Sequence, residues 1–185
     1  MELHLHADHA GITIHHRLHN CGGRSIQAAP WAITALPLGG VALLPTPNSA
    51  GNNSPWAPNR QIVFWPYTQR TDPRLEWQDE GWIVQGKSSL PPCKIGTFSR
   101  SGWIGYLRQG VLLHIRFRTY PDCAHTDLGC NAEIYCNDRF LELETLGPLR
   151  TLRPGQQIVH TEVWEITSYS GGVTPKIWQE LEAVS

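Results

Sequence analysis

The chain lacks the signatures that mark most common enzyme classes. Its 185 residues contain no G-x-S-x-G elbow, no phosphate-binding P-loop and no G-x-G-x-x-G turn, so serine-hydrolase, phosphate-loop and dinucleotide readings have no support. No stretch approaches the roughly 18 apolar residues of a membrane span, and MELHLHADHA at the N-terminus has neither the basic nor the apolar region of a signal peptide. A cytoplasmic chain with no membrane partner is the expectation. There is no Lys/Arg run, and the formal net charge is -1, so nucleic acid is not an expected partner. The cysteines Cys21, Cys93, Cys123, Cys130 and Cys136 are odd in number and none forms a C-x-x-C pair. That spacing predicts reduced thiols rather than a disulfide framework or a zinc knuckle.

What is present points to β-structure. Short alternating runs, punctuated by Gly, Pro and Asn, recur along the whole length and predict an all-β antiparallel sandwich. A length of 185 residues suits a single domain over 1–185 with a substantial core. Expected strands include Glu2 to Ala7, Gly11 to His19, Ser25 to Ile33, Gln61 to Pro66, Ile95 to Phe98, Val111 to Arg118 and Gln157 to Ile166. The polar run PTPNSAGNNSPWAPNR over 45–60 reads as a long loop. Thr174 as cap and Pro175 in the first turn predict a short C-terminal helix over 174–183, packing Ile177, Trp178 and Leu181 on the body.

The most informative segment is NAEIYCNDRFLELET, from Asn131 to Thr145. A two-residue Asn137-Asp138 turn would set Glu133 opposite Glu142 and Asn131 opposite Glu144. Alternation places Ala132, Ile134, Leu141 and Leu143 on an apolar face, and Asn131, Glu133, Tyr135, Phe140, Glu142 and Glu144 on the other. Like charges facing each other weaken a sheet. The acidic face is therefore a plain solvated surface, an ion-pair network, or a site holding cations, a raised carboxyl pKa or a ligand. Val111, Leu113, Ile115 and Phe117 face a core. His114, Arg116 and Arg118 point the other way and would neutralise the acids if the strands were neighbours. Lys94 is a second candidate cation, with an exposed surface lysine as its bland alternative. Eight Trp residues suit both sandwich cores and sugar-stacking platforms.

His4-Leu5-His6-Ala7-Asp8-His9 resembles the H-x-H-x-D-H metal signature of metallo-β-lactamase-like hydrolases, which implies a metal-dependent lactone or ester hydrolase as one alternative. The same residues also read as a hairpin turning at Asp8 to Gly11, with His4, His6 and His15 on one polar face. The hairpin is the preferred reading, and no metal or other cofactor is expected.

Three further places carry a wider resemblance. GITIHHRLHNCGGRSIQAAPWAITALPLGG, Leu143-Glu144-Thr145 and Leu152-Arg153-Pro154-Gly155 followed by His160-Thr161-Glu162 resemble segments in the C-terminal part of galactose mutarotase-like (aldose 1-epimerase-like) domains. The resemblance implies a supersandwich, shortened at its N-terminus, with a sugar-binding face and Glu144 as general base. Pro30-Trp31-Ala32 stands where that family carries its acid histidine. The catalytic candidates are Glu144, Glu133 and His114, with Lys94 as an alternative acid. Asn131, Glu142, Lys94, Arg116 and Trp31 are candidates for binding. Trp31 has a core or edge position as its bland alternative, and His114 a simple pairing with a neighbouring acid. The expected partner is a carbohydrate or similar polar ring, bound by a shortened sandwich that pairs as a homodimer to cover its edges. A non-catalytic carbohydrate-binding module is the other reading.

Overall fold

The computed structural model describes residues 1–46, 56 and 58–183. Two antiparallel sheets face each other. The larger runs β1 (Glu2–Leu5), β2 (Gly11–His19), β15 (Gln157–Ser168), β11 (Val111–Phe117), β10 (Trp103–Arg108), β5 (Val41–Pro45), β8 (Gly81–Gln85) and β7 (Leu75–Gln78). The smaller runs β4 (Trp31–Pro37), β13 (Phe140–Leu146), β12 (Ala132–Cys136), β9 (Cys93–Thr97) and β6 (Val63–Phe64), and β14 (Arg150–Leu152) pairs with β3 (Ile26–Ala28) as a ribbon.

Alternation builds the core. Leu113, Ile115 and Phe117 from one sheet meet Ile134, Leu141, Leu143 and Ile95 from the other, all buried in one cluster. Each such side chain contributes about 1.5–3 kcal/mol by leaving water. The opposite face of the larger sheet is covered by the helix α1 (Pro175–Ala183), whose Ile177, Trp178 and Leu181 pack on Leu43, Ile83, Trp103 and Leu112. The expected helix and its three contacts are therefore present. No helix among the described residues is long and apolar enough to cross a membrane.

Several expectations are corrected. The strand expected over Ser25 to Ile33 is two strands, β3 and β4, parted at Ala29-Pro30, where proline has no N–H to give a ladder. The strands β7 and β14 were not anticipated. Of the loop expected over 45–60, Pro45 closes β5, and 47–55 and 57 lie outside the described residues. The turn of the acidic hairpin is one residue further on: Asn137 N donates to Phe140 O at 3.1 Å. Asn137 Oδ1 also accepts from Arg139 N at 2.8 Å and Phe140 N at 2.9 Å, so Asp138-Arg139 forms the loop.

A buried ion pair ties the hairpin to the loops of the larger sheet. Arg74 Nη2 lies 2.7 Å from Asp72 Oδ2 and donates to Pro91 O at 2.7 Å, while Nη1 donates to Cys136 O at 3.1 Å and Ser89 O at 3.2 Å. The guanidinium fork suits this one-centre anchoring of several acceptors.

Candidate functional site

The shifted turn changes which acids meet. Glu133 stands directly opposite Glu144, and Tyr135 opposite Glu142. The pairing moves by an even number of residues, so every side chain keeps its expected face. Across the smaller sheet the neighbours Val63, Gly96, Glu133, Glu144 and Ile33 form one row. The row lies on the side away from the core.

Lys94 resolves the repulsion. It enters from β9, the strand beside β12, and its Nζ lies 2.7 Å from Glu133 Oε2 and 2.8 Å from Glu144 Oε2. The ammonium is buried and sits 5.0 Å from the ring centre of Trp31 and 4.6 Å from that of Trp65, an arrangement that favours a cation. Trp31 Nε1 donates to the same Glu144 Oε2 at 2.6 Å. Burial alone would lower the Lys94 pKa, but the bonds to Glu133 and Glu144 outweigh it and raise the value. Glu133 is fully buried, and Oε1 finds no hydrogen-bond partner. Burial, opposed by Lys94 and reinforced by the charge of Glu144, pushes its pKa up to about 8. One ammonium neutralises one carboxylate, and the second is eased by keeping its proton.

Gly96 makes room for this cluster. A Cβ there would lie 2.8 Å from Cys130 Sγ, 3.0 Å from Glu133 Cγ and 3.3 Å from the Trp65 ring. Above the buried charges the face is aromatic. Trp31 is 56% exposed, Tyr67 meets Tyr135 edge-on at 6.4 Å, and Tyr135 lies 6.0 Å from Phe140. Glu142, half-buried on the same face, has its pKa raised by burial and by Glu144.

The structure thus brings Lys94, Glu133, Glu142, Glu144 and Trp31 together. It does not bring His114, Arg116 or Asn131. The strand β11 lies in the other sheet between β10 and β15, so His114 and Arg116 point out of the far side of the sandwich. There His114 is buried edge-on to Trp103 at 5.3 Å, with burial lowering its pKa to about 4. Arg116 pairs with Glu165 at 2.9 Å. These residues can neither neutralise the acidic face nor donate a proton there. Asn131 is buried with both amide ends spent on Ser99, Oδ1 accepting from its N at 2.7 Å and Nδ2 donating to its O at 3.0 Å. Trp65, Tyr67 and Gly96 were missed. The alternation of Val63 and Trp65 was a signal, but no local pattern named the strand beside it.

The histidine-rich segment is a hairpin, with Leu5 paired to Ile12. Its polar side chains bond to each other rather than converge: His6 Nδ1 to His9 Nε2 at 2.8 Å, His9 Nδ1 to Asp8 at 2.8 Å, His6 Nε2 to Thr13 at 2.9 Å, and His4 to Glu2 at 2.9 Å. Among the described residues no group of three or more His, Cys, Asp or Glu side chains is placed to hold a metal ion.

The fold and site define an antiparallel sandwich whose smaller sheet presents an aromatic face over buried carboxylates. No family model matches the sequence, and no curated protein matches it. Solved structures do match in shape. A protein from Escherichia coli K12, provisionally assigned as an aldose 1-epimerase, superposes with a TM-score of 0.53 at 14% identity, over 90% of this chain and 58% of that one. A second protein with that provisional assignment, from Klebsiella pneumoniae, gives 0.55 at 10% identity, over 95% and 46%. A protein from Synechocystis sp. PCC 6803 gives 0.50 at 10% identity, over 85% and 51%. The fold is galactose mutarotase-like, and the chain spans about half the length of the structures it matches.

Proposed function

We propose that the outer face of the smaller sheet binds a carbohydrate, and that binding is the principal activity of this chain. The observation that carries the reading is the pairing of an exposed indole with a fixed carboxylate. Trp31 offers a flat apolar surface for the C–H face of a pyranose, and its Nε1 bond anchors Glu144 beneath it. Glu144 Oε2 is held by Lys94 and Trp31, so the buried carboxylate fixes the indole edge and the plane it presents. The aldose 1-epimerase-like fold of the solved relatives supports a sugar over other polar rings, as analogy of fold.

The test is calorimetric titration against a panel of mono- and oligosaccharides, with Trp31→Ala and Glu144→Gln beside the wild type. Trp31→Ala should weaken binding about fivefold or more, since losing a stacked aromatic contact costs on the order of 1 kcal/mol or more. Unchanged affinity in a folded Trp31→Ala protein would end this reading.

A catalytic reading has one observation in its favour. Glu133, with its pKa pushed up to about 8, would carry a proton at neutral pH beside the ion-paired Glu144, and carboxylates with environments that differ in this way can serve as acid and base. Anomer exchange measured by NMR would detect it. Turnover abolished by Glu144→Gln, with binding largely kept, would establish catalysis. No exchange in the wild type would leave the binding module.

A further inference from the structure

Where β9 runs out at Thr97, the chain enters a pocket of about 430 Å³ whose lining includes Arg60, Gln61, Phe98, Arg100, Cys123 and His125. Among the described residues no acidic one lines it. Neither arginine has a carboxylate partner among the described residues. Arg60 Nη2 donates to the carbonyl of Asp79 at 2.6 Å, and its guanidinium lies 5.1 Å from the Trp77 ring. The Arg100 guanidinium lies 6.0 Å from Phe98, whose ring meets His125 edge-on at 5.1 Å. Aromatic contacts fix where these cations sit without cancelling their charge.

The hydrogen-bond ledger of the pocket is open. Arg60 Nε, His125 Nδ1 and His125 Nε2 are all buried without a partner. Buried donors in folded proteins are nearly always bonded, and an orphan calls for an ion, a water or a ligand. Burial lowers the His125 pKa and so favours the neutral ring, which has one N–H donor and one acceptor nitrogen. That donor, Arg60 Nε and the Arg100 guanidinium at one pocket call for an acceptor that brings negative charge.

We propose that this pocket is an anion subsite, and that the ligand of the adjoining sheet face is an oligosaccharide whose carboxylate, sulfate or phosphate group lodges there. The second half rests on the carbohydrate reading above, and the first does not. Spacing selects the class of ligand. By register Trp31 stands level with Phe98, and β13 and β12 lie between their strands, so three strand spacings, about 14 Å of sheet, separate them, too far for the substituent of a single ring seated on Trp31. The two ends have opposite tastes. On the sheet face Lys94 offsets Glu144 and Glu133 keeps its proton, which leaves Glu142 as an acid with no cation of its own and disfavours an anion there, whereas the pocket attracts one. A chain with a neutral ring at Trp31 and an acidic group one or two rings away satisfies both.

Two measurements test this. In the first, inorganic sulfate is titrated into isotopically labelled full chain, with the Arg60, Arg100 and His125 side-chain signals followed by NMR. The expected result is saturating shifts at these residues that are lost in Arg100→Gln, an exposed position whose substitution leaves the fold intact, and in Arg60→Gln. Non-saturating shifts spread evenly over exposed arginines would overturn the subsite. In the second, neutral, uronate-bearing, sulfated and phosphorylated oligosaccharides of equal length are compared. At least one acidic set should bind about tenfold tighter than the neutral set, the preference should vanish in Arg100→Gln, and Trp31→Ala should weaken all sets alike. Equal affinity for acidic and neutral chains would overturn the oligosaccharide assignment. Sulfate saturation together with no effect of Trp31→Ala would retain the subsite and remove the carbohydrate reading of the face.

Discussion

Glu133 and Glu144 face each other across adjacent strands and share the ammonium of Lys94, at 2.7 Å and 2.8 Å. Three ionisable groups in one buried space carry a single positive charge between two acids, so the proton on Glu133 is part of how the sheet holds together.

That proton predicts a pH dependence. The folded pKa of Glu133, pushed up to about 8, exceeds the ordinary value of 4.5. Between these values the folded state binds more protons than the unfolded, so this contribution is complete below about 4.5 and declines as pH rises through 8. Glu133→Gln should remove the decline. Thermal melts of both proteins from pH 5 to 9 should diverge, with the variant gaining relative stability as pH rises. Parallel curves would refute the assignment.

Lys94→Met leaves two buried carboxylates without their cation and should cost about 3–5 kcal/mol. The double variant Lys94→Met/Glu144→Gln should recover part of this, because the remaining acid can stay neutral. Urea denaturation of the set measures the coupling.

Two buried histidines set the acid limit. Burial lowers both His114 and His160 to about 4 from 6.5. The unfolded chain then binds more protons between those values, so their contribution is full above about 6.5 and is lost as pH falls through 4. Each amounts to about 3 kcal/mol. His114→Phe, which keeps the ring against Trp103, should flatten part of the acid limb of the stability profile and leave sugar binding untouched. A loss of binding would return His114 to the site.

Gly96→Ala should destabilise the fold by about 1–3 kcal/mol, since the added methyl meets Cys130, Glu133 and Trp65 at once. Trp65 lies over the lysine, so the change should also shift tryptophan emission. Wild-type denaturation and emission would mean that the row tolerates a side chain.

The parts of this molecule that were legible from sequence are those fixed by periodicity. The alternation of Ala132, Ile134, Leu141 and Leu143 marked the core face, and Thr174-Pro175 marked the start of the helix. Membership of the acidic face was equally local, which is why Glu133, Glu142 and Glu144 were named together. Neighbourhood across strands was not local. Whether β11 or β9 lay beside the acids depended on sheet order, and so Lys94 took the place expected for His114 and Arg116. Trp65 sits just past a two-residue strand, too short to show a period. Asn131 was named because alternation puts it on the acidic face, yet its amide serves the backbone of Ser99.

The Asn137 side chain, by accepting from Arg139 and Phe140, decides more than the shape of a turn. It acts as the indexing pin of the hairpin. A slip of two residues would keep every side chain on its face and still exchange Glu142 for Glu144 as the partner of Glu133. The chemistry of such a surface could then diverge between related chains through the turn alone, with every acid retained.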